Sequence, residues 1–410
     1  MKIYQMNDEQ RIEYLLSKKL ITKEQADFLS KRQPVSEQLS DSLSENQIGL
    51  FGLPYGFATD FLVDGKEYLV PMSIEEPSVV AAASNGAKRI KNSGGFTTEP
   101  SQRIVTGQIV LENLISVDIS KLTASKERIL EISKKVRPSL IRRGGGVVDI
   151  EFVQNGNFFE IDLKINTVDA MGANIVNSIL EKVAHEISED ISGDILCCIL
   201  SNSGVDQVIT VKGKVSFDEL ATKTMSGQEV AQRIVKLTDF AKASTKRAIT
   251  HNKGIMNGID AVLIATGNDF RAQEAAAHSY YEHYQPFSDW EIVDNTLVGK
   301  LKMPIEVGSV GGAISALPMA KISLQIMQIS NSQQLQSVIG AVGLANNLSA
   351  LRALVTTGIQ AGHMSLQSKS LAISAGAVDE EIKLVAQKLN QTKKYSLEYA
   401  KEILSELRNN

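Results

Sequence analysis

Apolar and polar positions change period several times along the chain, and the changes divide it into four stretches. The clearest signal lies at 159–166, where Phe159, Ile161, Leu163 and Ile165 alternate with Glu160, Asp162, Lys164 and Asn166. A period of two puts the four apolar side chains on one face of a strand. Upstream, a strand over 104–111 leads into a helix with Leu122, Ile129, Ile132 and Val136 on one side, and Gly144-Gly-Gly146 then opens another strand. Downstream come a helix striped by Ile175, Ile179 and Val183 and a strand over 195–200. Strand, helix, strand, strand, helix, strand over 104–205 is the order of a ferredoxin-like split βαβ unit.

The flanking stretches read differently. Residues 7–46 alternate short helical patterns with polar punctuation, and Thr22-Lys-Glu-Gln25 forms a capping box, so an N-terminal helical arm suited to docking a partner subunit is expected. In 47–103, Val63-Asp-Gly-Lys66 ahead of Tyr68-Leu-Val-Pro71 predicts a hairpin, and a small-residue helix follows over 79–88. From 206 onward the pattern is helical, with helices near 227–243, 255–265, 271–282, 332–343 and 346–357 between glycine-bearing loops. Two amphipathic helices end the chain, one with Ile382, Val385 and Leu389, the other with Leu397, Ala400, Leu404 and Leu407. The fold class is α+β.

Composition narrows the field. A chain of 410 residues, 43% hydrophobic, can bury two or three cores. Its 43 Lys and Arg against 47 Asp and Glu give a net charge of −4, which argues against a nucleic-acid partner held by a basic field. Cys197 and Cys198, set among Ile195, Leu196, Ile199 and Leu200, read as buried strand residues and supply neither a disulfide framework nor a zinc site; no metal is expected. The N-terminus has no signal-peptide layout, and Arg352 with Asn346 and Asn347 interrupts the most apolar stretch, 338–355. A cytoplasmic protein without a membrane partner is therefore expected.

Several segments carry more glycine and polar residues than packing needs. In Asp169-Ala-Met-Gly-Ala-Asn174, a strand-to-helix turn offers free N–H groups and a positive dipole end to a phosphate, or simply an N-cap by Asp169. No GxGxxG fingerprint is present there. Thr250-His-Asn-Lys-Gly-Ile-Met-Asn-Gly258 places Lys253 on an expected loop, either as a solvated lysine or as a functional cation. Asp269, in Ala265-Thr-Gly-Asn-Asp-Phe-Arg271, is a helix cap or the partner of a lysine, and His363 follows Gly362 at a loop or helix entry. In Glu75-Glu-Pro-Ser78, an acid precedes a helical proline, which is either ordinary dipole chemistry or a buried proton donor. A lysine, two carboxyls and a histidine together suit carbonyl reduction. The ammonium stabilises the oxyanion that hydride addition creates, a carboxyl gives a proton, and the histidine protonates a leaving group.

Glu45-Asn-Gln-Ile-Gly49, Glu75-Glu-Pro-Ser78, the 169–174 turn, the 251–258 segment, Gly267-Asn-Asp269 and Gly362-His-Met364 stand in one order across the chain from about residue 10. In this the sequence resembles the class II hydroxymethylglutaryl-CoA (HMG-CoA) reductases, the soluble bacterial type. The resemblance implies reduction of HMG-CoA to mevalonate and CoA with two NAD(P)H, or the reverse. It implies that Glu76 is the catalytic glutamate, Lys253 the oxyanion-stabilising lysine, Asp269 the aspartate that orients it, and His363 the flap histidine that protonates CoA thiolate. Ser78, Asn202, Arg247 and Asn257, with Glu45 and Asn46, match substrate-binding positions; Asp169, Ala170, Met171, Gly172 and Asn174 match the dinucleotide motif.

The family's layout would be a discontinuous large domain (1–103 and 206–358) for substrate binding and dimerisation. Into it would be inserted a small ferredoxin-like cofactor domain (104–205), and a mobile C-terminal flap (359–410) would follow. A homodimer, or an assembly of dimers, with active sites between subunits is implied. Two departures stand out: Asn346 replaces the family's frequent Gln, and Gly311-Gly-Ala-Ile-Ser-Ala-Leu-Pro318 lacks its His-Pro pair. Asp149, expected to point outward while Val148, Ile150 and Phe152 face inward, would accept from a ribose 2′-OH and tilt the choice toward NADH. Arg142 and Arg143 could instead serve a 2′-phosphate. The rival readings are a catalytically silent sensor of CoA or nucleotide, and RNA binding by the ferredoxin-like unit. The second would need stacking aromatics on the central strands, where Phe159 instead joins the apolar stripe.

Overall fold

The computed structural model describes residues 2–358 and 368–409; His363, with residues 359–367 of the expected flap (359–410), lies outside them. Among the described residues, ten strands form two sheets. β1 (Tyr55–Val63), β2 (Lys66–Ser73), β3 (Phe96–Glu99), β8 (Val208–Ser216), β9 (Ser288–Val293) and β10 (Thr296–Pro304) make the larger, in the order β2-β1-β3-β8-β10-β9. β4 (Ile104–Glu112), β5 (Gly146–Asn155), β6 (Phe158–Asn166) and β7 (Asp194–Leu200) make the smaller, in the order β5-β6-β4-β7 and antiparallel throughout. That order, with helices Lys126–Val136 and Ala173–Ser188 packed on one face, is the split βαβ arrangement read from the sequence.

The hairpin of β1 and β2 turns at Asp64-Gly65, both at positive φ, as a two-residue turn matched to strand twist requires. β9 and β10 turn the same way at Asp294-Asn295. β8, β9 and β10 correct the expectation of a wholly helical second half. Their alternation is visible in Ile209, Val211 and Val215 and in Leu297, Leu301 and Met303, all fully buried.

Three further corrections concern single elements. The helices expected at 332–343 and 346–357 are one helix, Ser332–Val355. Gly340 and Gly343 do not break it, because their bare Cα atoms lie against Val211 and against Ile255 and Ile259. Among the described residues it is the one helix long and apolar enough to cross a membrane, yet it runs through the core, with Asn346 and Asn347 buried. Lys253 is not on a loop but inside the helix Thr245–Thr266. Cys197 is exposed and Cys198 half-buried, because β7 is an edge strand whose Ile195, Cys198 and Leu200 alone face the core.

The N-terminal helices Asp8–Ser17 and Lys23–Ser30 pack Leu15, Ile21 and Ala26 against Ile322 and Ile326 of the same chain, so the arm docks on its own body. Thr22 and Gln25 form the expected reciprocal cap. Beyond the arm, Ile48 and Phe51 stand almost fully in solvent. At the other end, Glu380–Thr392 and Leu397–Asn409 share a small core of Val385, Leu389, Ala400, Ile403 and Leu404.

Candidate active site

β2 ends at Ser73, and the chain enters the helix Pro77–Asn92 through Glu76, its N-cap residue. Ser78 Oγ donates to Glu76 Oε1 at 2.5 Å, so the two positions expected to meet substrate already share a hydrogen bond. This helix is held close to Ser332–Val355: a Cβ on Gly86 would stand 2.1 Å from the Ala345 carbonyl oxygen, and Ser349 Oγ donates to Ala82 O.

Thr245–Thr266 carries five positions of interest. Lys253 is exposed, and Asn257 lies one turn further along the same face. Arg247 sits half-buried near the N-terminus; burial lowers its pKa, and its Nε finds no partner among the described residues. A buried guanidinium N–H left open is the donor a carboxylate fills. One turn on, His251 is buried and held through Nε2 by Ser288 Oγ (2.7 Å) and Asn347 Nδ2 (3.0 Å). Burial, helped by Arg247, pushes its imidazole down to about 4, so it is neutral near pH 7. Asn252 accepts from Phe287 N and donates to Gln285 O, locking that helix to the segment before β9.

The helix ends at Gly267 in the left-handed conformation, and Asp269 caps the next helix, Phe270–Ser279. Asp269 Oδ1 accepts from the amides of Arg271 (3.0 Å) and Ala272 (3.2 Å), and Oδ2 pairs with the Arg271 guanidinium. Burial would raise the carboxyl, but those hydrogen bonds outweigh it, and Asp269 is held below its ordinary value. Thirteen residue-to-residue steps lead from Lys253 to Thr266, which at 1.5 Å each is about 20 Å. Within one chain, Lys253 therefore lies mid-helix, about 20 Å along the axis from the helix's C-terminal end, and Asp269 lies beyond that end.

The 169–174 turn does not use Asp169 to cap the helix that follows it. Asp169 Oδ1 instead accepts from Ser332 N at 2.7 Å, tying the smaller sheet to the start of Ser332–Val355, and Ser332 Oγ donates to Val168 O. The Asp169 carbonyl accepts from Ser309 and Val310, and Ala170 bridges to Val310. Gly172, at φ 99°, begins Ala173–Ser188; no described side chain caps that helix, so its first-turn N–H groups suit a phosphate. Asn174 is exposed on that first turn. Gly308 lets the chain approach the turn, since a Cβ there would lie 2.6 Å from Met171 N, and Asn268 Oδ1 accepts from Gly308 N.

Asn202 is exposed in the connection between β7 and β8, and Glu45 and Asn46 are exposed beyond the N-terminal helices. Asp149 is outward, but Val148 is exposed as well, because a register shift between Val147 and Asp149 rotates the strand there. Asp149 Oδ1 accepts from Lys126 Nζ (2.8 Å) and from Ile150 N, and the lysine lowers its pKa. Sequence reasoning missed four polar residues around these sites: Arg103 and Gln207, which are buried, and Glu306 and Asp260, which are partly buried. None sits in a motif. Burial and the neighbouring Glu274 push the Asp260 carboxyl up to about 8. Among the described residues no cluster of His, Cys, Asp or Glu suits a metal ion.

A carboxyl at a helix mouth, an exposed lysine, an open guanidinium and an uncapped helix start beside glycine form the equipment for hydride transfer to an anionic carbonyl substrate. Comparison with known proteins agrees. The profile of the hydroxymethylglutaryl-coenzyme A reductase family matches residues 7–368. A 3-hydroxy-3-methylglutaryl-coenzyme A reductase of Archaeoglobus fulgidus is 44% identical over 379 residues, 90% of this chain and 86% of that one. A probable enzyme of the same name from Borreliella burgdorferi is 30% identical over 383 residues, 91% of this chain and 88% of its own. Among solved structures, the reductase of Streptococcus pneumoniae superposes with a TM-score of 0.82 at 39% identity, over 98% of both chains. A class II form of it bound to NADPH in open conformations gives 0.81 at 39% identity, over 98% of this chain and all of that one.

The chain belongs to the hydroxymethylglutaryl-coenzyme A reductase family. Its activity is that of an NAD(P)H-dependent oxidoreductase acting on the HMG-CoA thioester.

Proposed function

We propose that the active enzyme is a cytoplasmic homodimer whose catalytic sites are shared, with Lys253 of one subunit facing Asp269 of the other. The single observation that carries this is the rise of about 20 Å that the unbroken helix Thr245–Thr266 puts between Lys253 and its own C-terminal end, beyond which Asp269 lies. The exposed Ile48 and Phe51, beside Glu45 and Asn46, supply apolar surface for the second copy to cover. The domain plan of a large substrate domain, an inserted cofactor domain and a C-terminal flap follows the same reading.

In the assembled site the nicotinamide cofactor supplies hydride, and the residues of this chain prepare its acceptor. Arg247 holds the terminal carboxylate of HMG-CoA through its open Nε, with Ser78, Asn202 and Asn257 around the substrate. Lys253 stabilises the oxyanion at the thioester carbon, and Asp269 orients the ammonium. His363 protonates the departing thiolate, and Glu76 gives the proton that completes mevalonate. The 169–174 turn binds the dinucleotide phosphates at the start of Ala173–Ser188. The Lys126–Asp149 pair weakens the case for NADH, because a paired carboxylate repels a 2′-phosphate less than a bare one.

Two experiments test the proposal. Two cofactors oxidised per CoA thiol released, assayed in parallel with NADH and NADPH, would confirm the four-electron course; binding of HMG-CoA without oxidation would instead identify a sensor. Mixing inactive Lys253→Ala and Asp269→Asn subunits tests the shared site. Mixed dimers retain one intact site, so about a quarter of wild-type activity should return. No recovery after subunit exchange would place both residues in the same subunit's site.

A further inference from the structure

The chain passes between its two sheets twice, at 100–103 and at 201–207, and a buried polar residue stands at each crossing. Arg103 is only 9% exposed. Its Nη2 donates to Met171 O at 2.7 Å, its Nε to Ala170 O at 3.3 Å, and its Nη1 to Gln207 Oε1. Gln207 in turn donates through Nε2 to Glu306 Oε1 at 3.0 Å. The Glu306 amide donates to Gln273 Oε1 at 2.7 Å, and Gln273 N donates to the Asp269 carbonyl at 3.1 Å. A continuous, largely buried path thus joins the 169–174 turn to the residue that opens the Asp269 helix.

The geometry at Arg103 has a directional consequence. The chain contains no cis peptide among the described residues, and in a trans peptide the carbonyl and the following N–H point opposite ways. With the Ala170 and Met171 carbonyls drawn onto the guanidinium, the Met171 and Gly172 N–H groups turn to the other side of the turn. A guanidinium can hold two carbonyls and an amide oxygen at once because its donors lie in a fixed planar fork; a lysine ammonium at the same place cannot span them.

We propose that Arg103 is a positioning residue for the nicotinamide cofactor. It fixes the 170–172 peptides with their N–H groups toward the dinucleotide phosphates, and Gln207, Glu306 and Gln273 hold that setting against Asp269. The inference rests on the reading of this turn as the cofactor site. Removing one charge-assisted hydrogen bond from the clamp should weaken cofactor binding about tenfold.

The test is Arg103→Lys in the full chain, with NADPH affinity read by its fluorescence, both KM values by turnover, and folding by circular dichroism. The expected result is a tenfold rise in the Kd and KM for NADPH with the KM for HMG-CoA within about twofold and kcat at saturating NADPH nearly unchanged. A purely structural role would lower the melting temperature and move both KM values alike, and that outcome overturns the proposal, as does an unchanged Kd in a folded variant. Should Arg103→Lys not fold, Gln207→Met, which frees one guanidinium nitrogen but keeps the charge, should raise the NADPH Kd about threefold; no change there overturns it equally. Gly172→Val separates the two layers. A Cβ there would stand 2.7 Å from Thr167 Cγ2 at a φ no β-branched residue favours. Unchanged NADPH binding in that variant would remove the turn from the cofactor site altogether. Loss there with intact binding in Arg103→Lys would overturn the role of Arg103 alone.

Discussion

Lys253 shows what a residue owes to its surroundings. Asn252, Gly254 and Gly258 together read as a loop, since each disfavours a helix interior by up to about 1 kcal/mol. Packing overrides that preference: Ile255, Met256, Ile259, Val262 and Leu263 are all buried, and Gly258 is required because Asn346 Nδ2 would lie 2.7 Å from a Cβ there. The residue types at the site were legible, but their setting was not, because Asn346 lies 88 positions away in sequence. Lys253→Ala should lower turnover by at least 10²–10³-fold, as loss of an oxyanion donor does, while the exposed position leaves the melting temperature within about 2 °C. Steady-state kinetics beside a thermal melt checks both halves, and near-normal turnover would remove Lys253 from the mechanism. His251 makes a prediction of opposite character. Its folded pKa of about 4 lies below the unfolded 6.5, so the unfolded chain binds the extra proton between those values. The contribution of this group to stability is complete above pH 6.5 and falls by roughly 3 kcal/mol as pH drops to 4. Imidazole NMR should show His251 neutral at pH 5.5; a protonated ring there would contradict the burial argument.

At the scale of elements, the fold depends on close helix crossings that glycine alone permits. Pro77–Asn92 meets Ser332–Val355 at Gly86, where even a methyl group would strike the Ala345 backbone. A flexible side chain could move aside, but a helical carbonyl cannot, so Gly86→Ala should cost about 3 kcal/mol or more and leave little folded protein. Denaturant unfolding measures this directly, with Gly254→Ala as the comparison, since nothing lies within 4 Å of a Cβ at Gly254. That second change should be neutral or stabilising. The elements of the smaller sheet were readable because β6 alternates cleanly and helices separate its partners. The strands β8 and β10 were not, although both alternate. Gly213 and Gly299 sit at inward positions, where one admits Ile90 and the other the Trp290 ring, and so they blank the apolar stripe in the sequence. The helix Ser332–Val355 was divided for the reverse reason: its glycines and asparagines look like breakers, yet they serve contacts on every side of a buried rod.

Across the whole molecule, the junction of the two sheets is held by polar side chains rather than by apolar burial, and no sequence pattern announces it. Arg103, Gln207 and Glu306 are isolated residues in their own segments and meet only because the chain crosses twice at one place. Asp169 adds the third tie, through Ser332 N. Such a junction orders the 169–174 turn against the elements of the larger sheet, and it carries a cost that depends on pH. Burial pushes the Glu306 carboxyl up to about 7 although Arg103 and the Gly204 amide pull it down, and Asp269 adds to the rise. The same burial draws Arg103 down to about 10, with Glu306 resisting. Because the folded state holds the Glu306 proton more tightly than the unfolded chain, whose carboxyl titrates near 4.5, the folded state binds the extra proton between pH 4.5 and 7. Stability from this group is therefore fully present below pH 4.5 and is lost as pH rises to 7, by on the order of 3 kcal/mol. Glu306→Gln keeps an oxygen to accept from Gln207 and cannot ionise. Relative to the wild type it should gain stability steadily between pH 5 and 7.5, measured by urea unfolding at matched ionic strength. A difference between the two proteins that does not change with pH would show that Glu306 is ionised throughout, held so by Arg103 and the Gly204 amide.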